Sequence, residues 1–441
     1  MRIACVRDFC REGDKDGCTA RIGVAVCLGL VFHAAIVDSA GSDEAKAKDA
    51  AGETFALKLD EITDFEQSFV GMARGFVRRE RTRPTQLKGT PEGLLGSVYY
   101  FAADLGKRKL LMAMASVDPP KLYADTDFDN DLSDEKAFEG KIQKPNPKGP
   151  SFRRRQTVFQ FGPIPLARRD DEKGQRTKIV VRWYRGQSYV YLFPTEFRTG
   201  KVRLGKRSCK VVLIDGDLDG RYNSVFAGMS PSGQRTPRPD FLGIDLDQNG
   251  EFANSGMDSW EQRPLTRMIE LDGRYYNLTA SPDGAKLRIA KATPKMGTLA
   301  MQDRDLQALL MCDSGYVCIR GSEGKMNVPV GKYRAVYGFL SRTDEEGAKW
   351  TLTCGRGMGK LTDFEVREGQ VLKFNAGAPI ALKADVRKRG STVSIGFSAV
   401  GQAGENYAGG AQKDGKRPPP PKLKILDEKG KVLSQGTFEY G

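Results

Sequence analysis

The sequence predicts a mainly β protein, in which an amino-terminal β-rich domain with aspartate-rich loops is followed by β-sandwich modules. Segments that alternate apolar and polar residues, the pattern of half-buried strands, dominate the chain beyond residue 53. Gly, Asn and Asp turns separate these segments at short intervals, whereas long amphipathic helical patterns are scarce. With 441 residues, of which 39% are hydrophobic, the chain is long enough to form several cores.

The first 40 residues are typical of a signal peptide. An apolar run over residues 22–37 follows Arg21, and the small residues Ser39, Ala40 and Gly41 come after it. The run is shorter than the roughly 20 residues that a membrane-spanning helix needs. We therefore expect residues 1–40 to be removed and the mature chain to have no membrane span. The predicted location is secreted, periplasmic or on the cell surface.

Histidine occurs once, at His33, inside the predicted signal peptide. Removal of that segment would exclude Ser-His-Asp and Cys-His catalysis, and also zinc or iron sites with histidine ligands. Catalysis would then depend on carboxylates, Lys, Tyr, Ser or a metal held by oxygen. The sequence therefore favours a non-enzymatic protein.

Cysteines beyond the predicted signal peptide are Cys209, Cys312, Cys318 and Cys354, an even number that permits disulfides in an exported chain. A turn at residues 313–315 predicts a hairpin that brings Cys312 opposite Cys318. We expect a disulfide between these two, with isolated buried thiols as the alternative.

Residues 54–294 form the predicted β-rich domain. Its clearest hairpins turn at residues 185–187 and at residues 282–284, each between two strand-like segments. From residue 295 to residue 441, short strands separated by Gly or Asn turns have the rhythm of a β-sandwich. We expect this part to form one or two immunoglobulin-like modules.

Three loops share one pattern of oxygen-bearing side chains. Counted from the first aspartate of each loop, positions 1, 3 and 5 are Asp125, Asp127 and Asp129; Asp215, Asp217 and Asp219; and Asp245, Asp247 and Asn249. Alternate side chains of a tightly curled loop converge, and calcium accepts several oxygens at loose angles. The pattern predicts weak calcium binding at these residues. The alternative is that Asp, Asn and Gly form turns by capping their own backbone.

These loops are incomplete at position 12, where a calcium loop of the EF-hand type has a bidentate glutamate. The chain has Lys136, Phe226 and Gly256 there. Two of the loops follow strand-like runs rather than helices. They resemble the EF-hand-like repeats inside β-rich exported bacterial proteins, many of them uncharacterised, and the resemblance is confined to the three loops. It implies a metal site but no specific activity.

The chain is basic, with a formal net charge of +14. Clusters of arginine at residues 78–83 and 153–155 favour an acidic polysaccharide or another envelope polyanion as a partner. Few aromatic residues accompany them, which makes nucleic acid an unlikely partner. The alternative is an ordinary solvated surface.

Three functions are consistent with these observations. The first is a non-enzymatic protein that binds or scaffolds at the cell envelope, with β domains stabilised by calcium. The second is a carboxylate-dependent polysaccharide hydrolase, for which Asp258 and Glu261 beside Trp260 are the candidate acids. The third is a polyanion-binding module.

Overall fold

A computed structural model describes the fold of residues 2–5, 52–63, 75–92, 94, 96–143, 157–167, 177–226, 238–252, 261–271, 273–355, 359–390, 392–407 and 411–438. Most of the predicted signal peptide, the arginine cluster at residues 153–155, Asp258 and Trp260 lie outside the described residues.

The described residues form strands joined by short turns, without an α-helix, and this confirms the predicted mainly β class. The first strands are β1 Arg2–Cys5, β2 Glu53–Ala56, β3 Lys58–Glu61, β4 Gly75–Arg78, β5 Val98–Leu105, β6 Arg108–Ala115, β7 Lys121–Ala124, β8 Phe138–Glu139, β9 Lys141–Gln143, β10 Val158–Pro165, β11 Lys178–Tyr184, β12 Tyr189–Pro194, β13 Glu196–Leu204, β14 Arg207–Ile214, β15 Phe241–Ile244 and β16 Gln262–Pro264. The remaining strands are β17 Met268–Leu271, β18 Arg274–Ala280, β19 Lys286–Ala292, β20 Met296–Met301, β21 Leu306–Cys312, β22 Gly315–Arg320, β23 Lys325–Pro329, β24 Gly331–Thr343, β25 Lys349–Cys354, β26 Phe364–Val366, β27 Val371–Phe374, β28 Ala381–Arg389, β29 Thr392–Val400, β30 Gln412–Lys413, β31 Lys422–Leu426 and β32 Val432–Thr437. Short 3-10 turns occur at Gly321–Glu323 and Gly359–Leu361.

The chain divides into two compact units. The smaller unit is Met1–Asp49, Leu382–Ser398 and Arg417–Gly441. It contains the three-stranded sheet β1-β31-β32 and most of the β28-β29 hairpin. The rings of Phe397 and Phe438 lie 5.1 Å apart within this unit.

The larger unit, Ala50–Ala381 and Ala399–Lys416, contains the other sheets. Their strand orders are β4-β12-β11-β10-β9, β5-β6-β7-β8, β16-β15-β14-β13-β3, β23-β20-β27, and a ten-stranded sheet, β2-β19-β18-β17-β22-β21-β24-β25-β30 with β26 on β24. The hairpins predicted at residues 185–187 and 282–284 are confirmed, because β11 pairs with β12 and β18 with β19.

Alternating side chains of these sheets bury apolar residues in separate cores. The first core joins residues of the β4 and β5 sheets, including Phe101, Leu110, Met112, Phe161 and Trp183. The second core joins the β13 and ten-stranded sheets, including Val211, Leu213, Leu242, Leu278 and Leu287. The third core joins the ten-stranded and β20 sheets, including Leu299, Leu310, Val328, Tyr333 and Phe374.

The predicted boundary at residue 295 lies between the second and third cores. The second core extends along the chain to Ile289, and the third runs from Leu299 to Tyr407 with Tyr275 added. One sheet nevertheless continues across the boundary, because Met268 of β17 pairs with Gly315 of β22. The boundary and the immunoglobulin-like arrangement beyond it remain predictions.

The predicted Cys312–Cys318 disulfide is wrong, although the hairpin that suggested it is present as β21-β22. Cys312 pairs with Gly315 and Cys318 pairs with Leu309. Because side chains alternate along a strand, Leu309 and Cys312 face opposite sides of the sheet, and Cys318 faces the same side as Leu309. The two side chains therefore lie on opposite faces, and none of Cys209, Cys312, Cys318 and Cys354 forms a disulfide.

None of the described segments forms an apolar helix of the length needed to cross a membrane.

Candidate metal centre

Each aspartate-rich loop begins at the residue that directly follows a strand. Loop 1 (residues 125–135) follows β7, loop 2 (residues 215–223) follows β14, and loop 3 (residues 245–252) follows β15. The strand ends place the first aspartate of each loop in the interior, with Asp125, Asp215 and Asp245 exposed by only 0%, 3% and 5%. A buried carboxylate is costly unless it is paired, so each of these residues needs a partner.

The three loops have the same backbone conformation. The backbone is left-handed at positions 4 and 6 of every loop, with φ of 66° at Phe128 and 66° at Asn130, 60° at Leu218 and 87° at Gly220, and 61° at Gln248 and 84° at Gly250. Non-glycine residues rarely adopt this conformation, and only surrounding interactions maintain it. The common sequence pattern therefore produces one common turn.

Hydrogen bonds hold this turn in the same way in each loop. The carboxylate at position 1 accepts a bond from the N–H at position 6, at 3.1, 2.8 and 3.2 Å in loops 1, 2 and 3. Position 3 accepts from the N–H at position 5, and position 5 accepts from the N–H at position 7. These bonds are the backbone caps that the turn interpretation requires, and they also bring the side-chain oxygens together.

Three acidic side chains meet at each loop. The groups are Asp125, Asp127 and Asp129; Asp215, Asp217 and Asp240; and Asp245, Asp247 and Glu261. Within each group, one oxygen from every residue lies within 4.8 Å of the others. Such clusters of carboxylate oxygens could hold a metal ion.

Two oxygens in these clusters have no hydrogen-bond partner, although they are buried. They are Oδ1 of Asp125 and Oδ1 of Asp245, both at position 1 of their loops. A buried acceptor without a partner costs roughly 1–3 kcal/mol, and more when it is charged. Backbone capping alone does not explain why these two oxygens are buried without a hydrogen-bond partner. A cation bound in each loop would be their missing partner.

The carboxylates also repel one another. Burial raises the pKa of Asp125 to about 6, and the charges of Asp129, Asp127 and Glu135 add to the effect. Burial likewise raises the pKa of Asp217 to about 6, helped by the charge of Asp219. A bound cation would favour the charged form of each group and reverse these shifts.

The pKa values of Asp215 and Asp240 are raised further, chiefly by burial and then by neighbouring carboxylates. These two residues and Asp217 are all buried within the loop 2 cluster. Loop 2 therefore has the most buried set of acids among the three clusters.

One further acid, beyond positions 1, 3 and 5, caps the start of each loop. Glu135, Asp240 and Glu261 each accept a hydrogen bond from the N–H at position 2, which belongs to Thr126, Gly216 and Leu246 respectively. The Gly216 bond is 2.9 Å long and the Leu246 bond is 2.7 Å long. Glu135 lies within loop 1, whereas Asp240 and Glu261 come from other segments of the chain, and we call these two the remote acids.

Strand pairing explains how the remote acids reach the loops. Asp240 directly precedes β15, the antiparallel neighbour of β14, and Ile214 pairs with Phe241. Glu261 directly precedes β16, the antiparallel neighbour of β15. An acid just before the next strand is a sequence signal that could have identified them, provided that the strand pairing was known.

Two predicted ligands, Asp219 and Asn249, are not among the residues of the three acidic clusters. Asp219 is not part of the loop 2 cluster, and its Oδ1 accepts the N–H of Arg221. A Cβ added at Gly106 would lie 2.6 Å from the Cβ of Asp219, so the close approach of the β5-β6 turn requires glycine there. In loop 3, the Asn249 amide donates to Asp247 Oδ2 at 2.8 Å.

Apolar side chains anchor the loops at position 8. Leu132, Tyr222 and Phe252 are all buried there. In loop 2, position 4 is also apolar and buried, and the two anchors lie in different cores: Leu218 in the first and Tyr222 in the second. Loop 2 therefore contacts both cores at once.

The second predicted site, for hydrolysis, includes Glu261, and this residue is only 1% exposed. Its carboxylate accepts the N–H groups of Leu246 and Asp247. Glu261 thus belongs to loop 3 rather than to an open cleft. Its proposed companions, Asp258 and Trp260, lie outside the described residues.

The arginine cluster at residues 78–83 is partly used in packing. Arg83 donates to the carbonyl oxygens of Leu87 and Lys88. The Arg79 guanidinium lies 4.2 Å from the centre of the Tyr99 ring. A polyanion surface here would therefore depend on the other arginines of the cluster.

Comparisons with protein-family models, with curated proteins and with solved structures found no match for this chain. The fold and the loops define its class as a mainly β protein with acidic loops that could hold metal ions.

Proposed function

We propose that this protein is a non-enzymatic exported protein, with β domains stabilised by calcium and with a binding or scaffolding role in the cell envelope or outside the cell. The observation that carries the proposal is the pair of buried, unpartnered oxygens on Asp125 and Asp245, each inside a cluster of carboxylates.

Calcium is the proposed ion because every candidate ligand is an oxygen. Calcium takes 6–8 oxygens at variable angles, whereas magnesium demands octahedral geometry and retains several waters. No loop has a bidentate glutamate at position 12. We therefore expect weak binding, with a dissociation constant on the order of 0.1 to 1 mM, which suits an extracellular setting.

The proposed partner is an acidic polysaccharide or another envelope polyanion. The net charge of +14 supports this partner, because it favours polyanionic surfaces. Retention on a heparin column that falls with added salt is the expected result. Passage through the column at low salt would contradict this partner and leave the calcium proposal unaffected.

The test of the calcium proposal is the melting temperature in EDTA, in millimolar calcium and in equal magnesium. At about ten times the dissociation constant, calcium stabilises each site by roughly 1.4 kcal/mol. Such stabilisation shifts the melting temperature by a few degrees. Magnesium is expected to do less. Equal melting temperatures in EDTA and calcium would mean that the loops are turns only.

A further inference from the structure

The loops lack the acid that normally completes a calcium site. Position 12 is Lys136 in loop 1 and Phe226 in loop 2, and neither residue can supply a carboxylate. The counterpart in loop 3, Gly256, lies outside the described residues and has no side-chain oxygen. A closing carboxylate must therefore come from elsewhere in the chain.

We propose that Glu261 and Asp240 are the closing ligands of loops 3 and 2, and that they replace the position-12 glutamate. This inference rests on the proposed function for the presence of the ion, and it adds which residues complete the sites. Neither residue belongs to the D-x-D-x-D pattern of the loops.

Glu261 has the strongest evidence. It is almost fully buried, and its Oε1 accepts the N–H groups of Leu246 and Asp247 at 2.7 and 3.2 Å. These bonds fix the carboxylate against the start of loop 3. One of its oxygens lies within 4.8 Å of oxygens from both Asp245 and Asp247. The unpartnered Oδ1 of Asp245 belongs to this same cluster.

Asp240 occupies the matching place in loop 2. It is fully buried, with Oδ1 accepting the N–H of Gly216 at 2.9 Å and Oδ2 accepting the N–H of Ser224 at 2.7 Å. Its carboxylate lies in the cluster with Asp215 and Asp217. Three buried carboxylates so close together need positive charge nearby, and the mostly buried guanidinium of Arg238, which interacts with Asp217, supplies part of it.

The same placement occurs a third time. Glu135 accepts the N–H of Thr126 at position 2 of loop 1, and its charge contributes to the raised pKa of Asp125. The three acids lie at different distances along the chain from the loops they contact. Each nevertheless accepts a hydrogen bond from the N–H at position 2 of its loop. The capping bonds of positions 1, 3 and 5 do not account for this recurrence, because it involves a further acid in each case.

The assignment gives strand β15 a ligand at each end. Asp240 directly precedes β15 and belongs to loop 2, whereas Asp245 directly follows β15 and belongs to loop 3. An ion in loop 2 would tie the start of β15 to the end of β14. An ion in loop 3 would tie the end of β15 to the start of β16.

The test is calcium titration by calorimetry on the mature protein, with Glu261→Gln and Asp240→Asn measured beside the wild type. Both substitutions keep an oxygen that can accept the position-2 N–H and remove the charge. We expect each variant to weaken calcium binding at one loop by at least about tenfold. Glu251→Gln is the matched control, because Glu251 is an exposed acid in loop 3 outside its cluster.

The outcomes separate the two proposals. A wild type that binds no calcium would overturn the proposed function. Wild-type binding with unchanged affinity and stoichiometry in both variants would overturn the ligand assignment alone. If near-ultraviolet circular dichroism shows that Glu261→Gln does not fold in calcium, Glu261→Met, which keeps the side-chain volume and removes the carboxylate, is titrated instead, and unchanged affinity in that variant overturns the assignment of Glu261.

Discussion

Leu218 and Tyr222 belong to one short loop, yet their side chains pack in two different hydrophobic cores. Asp217 and Asp219 alternate with Leu218 along this loop, and Asp217 belongs to the loop 2 acidic cluster. The packing of both cores therefore depends on the conformation of a segment that contains mutually repelling carboxylates. Any ion that stabilises loop 2 also supports the contact of each core with its anchor.

Truncation of the first anchor is expected to be costly. Leu218→Ala removes a buried side chain from the first core, and such changes destabilise proteins by roughly 2–5 kcal/mol. Leu433→Ala is the control, because Leu433 is 60% exposed and a surface change of this kind stays within about 0.5 kcal/mol. Urea unfolding followed by circular dichroism measures both. Equal unfolding midpoints for the two variants would mean that Leu218 does not contribute to the core.

The double substitution Asp215→Asn with Asp217→Asn is expected to have opposite effects with and without calcium. In EDTA the variant should be more stable than the wild type, because two buried, mutually repelling charges are gone. In calcium it should gain less than the wild type, because two ligands are lost. Melting temperatures of the variant and of the wild type, each in EDTA and in calcium, measure these two effects.

The control for this experiment is Asp313→Asn, which changes an exposed acid in the β21-β22 turn. Its calcium response should equal that of the wild type. A double variant that is destabilised in EDTA would show that the carboxylates of loop 2 stabilise the empty loop, contrary to the repulsion described above.

The calcium response is expected to disappear in acid. Without the ion, the folded-state pKa values of Asp125 and Asp217 are about 6, above the roughly 3.9 of an unfolded aspartate. The ion-free folded protein therefore binds protons more tightly than the unfolded chain, and it gains stability as the pH falls from above 6 toward 4. Calcium needs the charged carboxylates, so it loses affinity over the same range.

The corresponding measurement is the difference in melting temperature between calcium and EDTA as a function of pH. We expect this difference to be largest above about pH 7 and to be nearly absent at about pH 5. The same difference at both pH values would show that the ion is not bound by these two groups.

Thiol chemistry provides an independent test of the fold. None of Cys209, Cys312, Cys318 and Cys354 forms a disulfide, so all four should react with an alkylating reagent after denaturation without reductant. In the native protein Cys318 should react first, because it is only partly buried and the other three are buried. Peptide mapping by mass spectrometry measures both. A peptide pair linked through Cys312 and Cys318 would contradict the strand register.

Local sequence patterns were sufficient to predict the β class and the place of each loop. Alternation defines strands, and the spacing of Asp215 and Asp217 defines a turn, because both depend only on neighbouring residues. The remote acids could not be predicted in this way. Asp240 reaches loop 2 only because β14 and β15 pair, and no local pattern specifies that pairing.

The prediction of a Cys312–Cys318 disulfide was wrong for a related reason. The prediction placed Gly315 within the turn at residues 313–315, whereas Gly315 begins β22 opposite Cys312. A shift of one residue moves every side chain of a strand to the other face. The hairpin could therefore be predicted and the facing of its cysteines could not.

The position of Asp240 also has a consequence for the order of events in folding. Asp215 and Asp240 lie close together only after β14 and β15 have paired, so the complete loop 2 site does not exist in a chain that is still forming its sheet. Interactions that form after the folding transition state slow unfolding and have little effect on the refolding rate. Calcium can then assist only those steps of folding that follow the pairing of β14 and β15, and it slows unfolding to the extent that this pairing comes after the transition state.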